Sequence, residues 1–416
     1  MAGPLAAKGT FTKSTGGAPA SQAVTGIGFQ PKALILWATA QTSFGVTTGY
    51  QFAYGITDGT DDYAVCATSE DAQGTADCDR RQAIKTLTIL DFTQTVLAEC
   101  DLTSFDSDGF TLNWTTNNAV AYQIHYFALG GSDLTDVKHD TFTTLTSTGN
   151  RAITGTGFQP DCVLFFASTS LSLPDTTGNT SLSIGMMDKD GNERSMAVIS
   201  DNGDTTSDSG RTQDTTTPNA IHGLRLSSKT PVPADNYQVR FVSMDADGFT
   251  VDFVDAASSS TTIGYLALKG GDYHVGAETS KTSTGTKATT GVGFEVGALL
   301  IFSASNVASD AVDAHNRIAL GAASAPGTEG CIWAGDTDGL GTTEADMATS
   351  ESKIIALYDT TSPSSADAEA DLDSLDSDGY TLDWTTASAS AFEFAYLALG
   401  AVAVAAGRRR IVGQIV

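Results

Sequence analysis

The chain has 416 residues, long enough for two to four domains rather than one. It carries 49 acidic against 22 basic side chains, a formal charge of -27. A field of that sign repels phosphate, so nucleic-acid binding is excluded as its main task. Charged residues make up only 17% of the chain, which argues for a folded protein rich in turns instead of a disordered acidic one.

The first recognisable element is Gly9-Thr10-Phe11-Thr12, a short strand. It leads to Gly26-Ile27-Gly28-Phe29-Gln30-Pro31, where proline and glycines stop regular pairing. Lys32 to Trp37 follows, apolar on both faces, the pattern of a central strand inside a sandwich. Cys162 to Phe166 and Ala298 to Phe302 are its counterparts, each preceded by Gly-x-Gly-Phe. Phe29, Phe158 and Phe294 therefore mark one site met three times.

A second recurring stretch is a turn and strand. Asp106-Ser107-Asp108-Gly109 leads into Phe110, Leu112 and Trp114 at alternate positions. Asp245, Asp247 and Gly248 lead into Phe249, Val251 and Phe253, and Asp376, Asp378 and Gly379 into Tyr380, Leu382 and Trp384. Period-two apolar spacing predicts a strand with one face on a core. The alternating run before each turn makes the pair a hairpin, with glycine supplying the positive φ. Each unit closes on one more strand, with Tyr126, Tyr265 and Tyr396 at one position and Ala128, Ala267 and Ala398 at another.

Three copies spaced by roughly 135 residues are whole domains, each able to hold its own core. The expected organisation is all-β: three tandem antiparallel two-sheet sandwiches, of which a jelly roll is one form, with about eight strands each. The boundaries are 1–135, 136–273 and 274–401, with a C-terminal tail at 402–416. The connections Ser132 to Lys138 and Asp272 to Ala277 are too short for flexible tethers, so neighbouring units should pack together. The stretches Ala67 to Asp79, Asp201 to Pro218 and Ala334 to Ser352 differ most between copies and are the places where recognition would vary.

Five cysteines, three of them in the first unit, do not repeat with the fold and read as free thiols. Met1 to Lys13 lacks the apolar run of a signal peptide, and nowhere do eighteen apolar residues follow one another. No membrane span is expected, and assembly in a reducing cytoplasm is.

Asp-x-Asp-Gly is reminiscent of the start of a calcium loop, but strand alternation follows where further ligands would be needed. It reads as a hairpin turn, and no metal or other cofactor is expected. His125, His139, His222, His274 and His315 do not occupy matching positions or show metal-ligand spacing. The chain has no Gly-x-Ser-x-Gly elbow, no His-Glu-x-x-His and no phosphate loop, and no catalytic set recurs. The expectation is a protein without enzymatic activity. Trp114 and Trp384 lie on the apolar face of the recurring strand and read as core residues, not sugar platforms. Arg408, Arg409 and Arg410 stand out in an acidic chain and read as an arm that docks on an acidic partner.

The run Gly28 to Leu36, with Asp-Gly-Phe-Thr-Leu-Asn-Trp and Tyr126 to Gly131 after it, resembles structural proteins of tailed-phage virions. In these, β-sandwich units with such signatures recur singly or in tandem. The third copy departs from the pattern, with Glu295-Val296-Gly297 where Gln-Pro stands in the others. The resemblance implies a virion component whose partners are other capsid or tail proteins. Three similar units would imitate a homotrimer, as a capsid decoration or a tail-associated part. The alternative is a receptor- or glycan-binding adhesin or fibre protein whose variable loops meet the host surface.

Overall fold

The computed structural model describes residues 3–225, 234–307, 310–358 and 365–402. Every regular element among them is a strand. In the first repeat these are β1 (Leu5–Thr12), β2 (Ala20–Thr25), β3 (Pro31–Ala38), β4 (Gly45–Thr48), β5 (Tyr50–Thr57), β6 (Asp62–Ser69), β7 (Cys78–Ala83), β8 (Leu87–Leu90), β9 (Val96–Asp106), β10 (Gly109–Asn117) and β11 (Gln123–Gly130). The other repeats show the same succession, so among the described residues each contributes eleven strands instead of the eight expected. The extra strands are short ones such as β4 and β8, too brief to show a period.

Within the first repeat β1-β11-β3-β5-β6-β7 form one antiparallel sheet and β2-β10-β9-β8 the facing one. The recurring hairpin is β9–β10, closed by Ser107-Asp108, with the positive φ of 156° on Gly109. A Cβ on Gly109 would stand 1.9 Å from the carbonyl oxygen of Val24, so the close approach of β2 also requires glycine. Gly248 and Gly379 meet the carbonyls of Ile153 and Thr289 in the same way.

The turn explains why two separate signatures recur together. Asp108 accepts hydrogen bonds from the backbone amides of Gly26 (3.1 Å) and Gly28 (2.6 Å), which belong to Gly-x-Gly-Phe. Asp247 does so for Gly157, and Asp378 for Gly291 and Gly293. The first aspartate of each turn accepts a hydroxyl across the hairpin: Thr111 on Asp106, Thr250 on Asp245 and Thr381 on Asp376. The hydroxyls of Ser104 and Thr111 hold the Asp106 carboxyl below its ordinary value.

The central strand has a different reason for its two apolar faces from the one the sequence suggests. Leu34 and Leu36 point into the core between the two sheets of the first repeat, with Phe110, Leu112 and Trp114. Ala33, Ile35 and Trp37 point the other way, into a core shared with Leu164 and Phe166 of the second repeat and Leu300 and Phe302 of the third. Three inter-sheet cores, one in each repeat, therefore surround one common core, so each unit has a core of its own and shares another. Burying a side chain of this size is worth about 1.5–3 kcal/mol, and the shared core packs the three units against one another.

Strand exchange ties the repeats further. Strand β4 leaves its own sheet and pairs with Ala345–Ser350 of the third repeat. Asp175–Gly178 of the second pairs with β7 of the first, and Val312–Ala314 of the third pairs with Ser209–Asp214 of the second. Each repeat gives an arm to the preceding one, and the first gives to the last, so the exchange closes into a ring. Each arm ends on a residue of positive φ, Gly49 (84°), Asn179 (72°) and His315 (70°), where the chain turns back into its own sheet. The Gly3 amide also donates to the carbonyl of Ala401 (2.8 Å), joining the first repeat to the end of the third.

Candidate functional site: the loop cap on the ring axis

The stretches that differ most in sequence converge at one end of the ring. Each spans a hairpin, β6–β7 in the first repeat, Glu193–Ser200 with Ser209–Asp214 in the second and Glu329–Asp336 with Ala345–Ser350 in the third. Each loop opens with the same backbone bond: Glu70 to Asp77 (2.8 Å), Asp201 to Asp208 (2.8 Å), Thr337 to Glu344 (2.9 Å). The loops then bond to one another in a cycle. The Ala76 amide donates to Asp204 O and Gly203 to Ala76 O, both at 2.8 Å. Ser207 donates to Leu340 O (2.9 Å) and Gly339 to Ser207 O (2.8 Å), while Ala72 donates to Thr343 O and Thr343 to Gln73 O, both at 2.9 Å.

Side chains repeat the cycle. Asp71 accepts the amide of Ala345 (3.0 Å), Asn202 that of Cys78 (3.2 Å) and Asp338 that of Ser209 (2.9 Å). Each thereby satisfies the first amide of a strand in the neighbouring repeat. Loops that share almost no sequence thus make equivalent contacts, because backbone groups and one short polar side chain carry them.

Below the cap is a buried polar layer. Asn316 Nδ2 donates to Ser200 Oγ (2.9 Å), which donates to Asp336 Oδ2 (2.6 Å). The Arg317 guanidinium donates to the backbone carbonyls of Asn316 (2.9 Å) and Asp336. Burial pushes the Asp336 carboxyl above its ordinary value. Around the rim, burial raises Asp79, Asp208 and Asp346 each to about 6. Neighbouring carboxylates add to the rise, Asp338 and Asp201 for Asp208, and Asp71 and Glu344 for Asp346. The cap is acidic and tightly bonded, suited to holding three repeats in register.

The residues singled out in the sequence fall as follows. Asp106, Asp108, Asp245, Asp247, Asp376 and Asp378 bond within their own repeats, and the hairpins are not part of the cap. Trp114 and Trp384 are fully buried in inter-sheet cores, as are Phe110, Phe249 and Tyr380. All five cysteines are buried free thiols. Arg408, Arg409 and Arg410 lie outside the described residues. The histidines are scattered: His125 Nε2 meets Thr349 Oγ1 of the third repeat (2.7 Å), His139 Nδ1 meets the carbonyl of Tyr265 (2.8 Å), and His222 lies between Asp214 (2.7 Å) and Asp235 (2.9 Å). Among the described residues no three His, Cys, Asp or Glu side chains gather as a metal site. No helix among them is long and apolar enough to cross a membrane.

Sequence reading missed the arms, the shared core and the equivalence of the three cap loops. The only available signal for the arms was the length of polar chain after each central strand. No protein-family model matches this chain, and no curated protein does.

Proposed function

We propose that the protein is a non-enzymatic structural component on the outside of a phage virion. In this reading one chain does the work of a homotrimer, sitting at a threefold or pseudo-threefold position as a capsid decoration or tail attachment part. The observation that carries the reading is the closed exchange of arms from repeat to repeat. Such an exchange makes three units into one body with cyclic order, which suits a threefold seat and is of little use to a string of independent modules. The formal charge of -27 favours the outer surface over one facing DNA. The cap loops, which an adhesin would leave free to meet a receptor, spend their amides and short polar side chains on one another.

Imaging particles with and without the protein tests this. The expected result is loss of a three-lobed feature from the outer surface. Density inside the shell against DNA would overturn the assignment. Particles of unchanged appearance that no longer adsorb to host cells would move it to the receptor-binding reading.

A further inference from the structure

Lys13 is an unusual residue for an acidic protein: its side chain is 1% exposed, and no carboxylate pairs with it among the described residues. Its Nζ meets Asn117 Oδ1, the carbonyls of Asn118 and Ser14 (each 2.9 Å), and the faces of Trp114 and Tyr122 at 5.4 and 5.5 Å. A buried ammonium is ordinarily met by a carboxylate, because neutral partners leave much of its desolvation cost standing. Here its partner is a carboxamide held from the other side: Asn117 Nδ2 donates to the carbonyls of Ser14 (3.0 Å) and Gly16 (2.7 Å).

The geometry points to a modification site: Lys13 and Asn117 form an intramolecular amide cross-link, with loss of ammonia. In this step the free amine of Lys13 attacks Cγ of Asn117. The Nζ–Cγ bond forms and the Cγ–Nδ2 bond breaks. One Nζ proton passes to Nδ2, which leaves as ammonia. The Ser14 carbonyl accepts from both nitrogens and keeps them side by side for that transfer. Amine and carboxamide become a secondary amide and ammonia, so no oxidant, reductant or co-reactant is required.

Two features favour the step. Burial lowers the Lys13 amine to about 8, so a fraction on the order of a tenth is the free nucleophile in neutral solution. Both groups are held in contact by a rigid frame, which replaces a bimolecular encounter with an intramolecular one. The link would also be well placed. Lys13 directly follows β1 in the larger sheet and Asn117 ends β10 in the smaller, so the bond would clasp the first sandwich across its core. The equivalent positions in the other repeats are Thr144 and Ser280, each donating its backbone amide as Lys13 does, to Thr261 O and Phe392 O (both 2.8 Å). Only the first repeat carries the amine.

Intact-mass spectrometry of the purified, denatured full chain tests this. The expected mass is lower than the sequence mass by one ammonia, and digestion should release a branched peptide joining Lys13 to Asn117. Lys13→Arg and Asn117→Ala should each restore the full mass. The inference is overturned if the wild-type chain shows the full sequence mass even after being held folded above the amine's value of about 8. It is equally overturned if an ammonia loss persists in Lys13→Arg, which would mark a succinimide elsewhere. Neither outcome depends on where the protein sits in a particle.

Discussion

The three arm joints look alike in backbone and differ in side chains. Where Asp175–Gly178 lies on β7, Arg80 donates to the carbonyls of Gly178 (2.5 Å) and Asn179 (2.9 Å), and Arg81 to Thr176 Oγ1 (2.8 Å). Where Val312–Ala314 lies on Ser209–Asp214, Arg211 holds the carbonyls of Ala314 (2.6 Å) and His315 (3.3 Å). Asp310 adds a carboxylate that accepts the amides of Thr215, Thr216 and Thr217. Where β4 lies on Ala345–Ser350, Met347 occupies the place of those arginines. All four residues of β4 are exposed, Val46 among them at 42% of its surface, and Phe44 just before it shows 38%. Strand pairing alone suffices to fix the ring's order, while the arginine clamps set how firmly each arm is held. The joint between the first and last repeats is accordingly the one expected to open first.

Removing a clamp gives the largest effect. Arg211 is 2% exposed, and Arg211→Ala would take the charged donor from the part-buried carbonyls of Ala314 and His315. Destabilisation of about 3 kcal/mol is expected from denaturant unfolding. Arg80→Ala, in a more solvated setting, should cost less. Equal losses at both sites would show that burial does not grade the joints.

The inter-sheet interior offers a second contrast. In the first repeat Thr88 and Arg81 both donate to Glu99 (2.9 and 2.8 Å), and in the third the position of Thr88 is held by Ala356, opposite Glu369, with no side-chain donor of its own. In the second, burial disfavours the charged form of His222, but Asp214 and Asp235 outweigh it and raise the imidazole to about 10. A folded value above the unfolded one, about 6.5, means the contribution is complete below that pH and is lost as pH rises through about 10. Lys8, lowered by burial to about 8, acts in the opposite sense at alkaline pH. The measurement is therefore a difference: wild type should lose stability relative to His222→Gln between neutral pH and pH about 10, by a few kcal/mol. A pH-independent difference would remove the charge from this account.

The cap should respond to pH equally in all three repeats, unlike the joints. Asp79, Asp208 and Asp346 have folded values of about 6, above the unfolded carboxylate value of 3.8. Their contribution is fully present below the unfolded value and declines as pH rises through 6. Amide exchange in 70–77, 201–208 and 337–344, corrected for intrinsic rates, should slow as pH falls from 7 to about 5. Slowing in one loop alone would break the cyclic equivalence.

The hairpin was fully legible in the sequence, since Phe110, Leu112 and Trp114 alternate and Asp108-Gly109 marks the turn. That Asp108 caps Gly26 and Gly28 was not, because a contact across eighty residues leaves no local trace. The apolar run of β3 revealed that both faces are buried, but not that Ile35 and Trp37 meet other repeats. Arms of three or four residues show no period at all. The cap loops hid their likeness for a different reason: backbone amides make most of their contacts, and Asp71, Asn202 and Asp338 do one job with two residue types.

The smallest effect is the most direct trial of the comparison. Met347→Arg would place a guanidinium where Arg80 and Arg211 stand in the other joints, within the same register against Thr47 and Thr48. Two opposing terms decide the outcome. Hydrogen bonds to the arm's carbonyls should add about 1 kcal/mol each. Against this, Met347 is 5% exposed and belongs to the shared core, so its loss costs about 1–2 kcal/mol of apolar burial. Net stability should therefore shift by less than about 1 kcal/mol in either direction. Amide exchange in Gly45–Thr48 should nevertheless slow, because the clamp acts on the arm and the methionine on the core. Unchanged exchange in the arm would mean that the arginines at the other joints answer a local need for charge pairing and do not hold the strands.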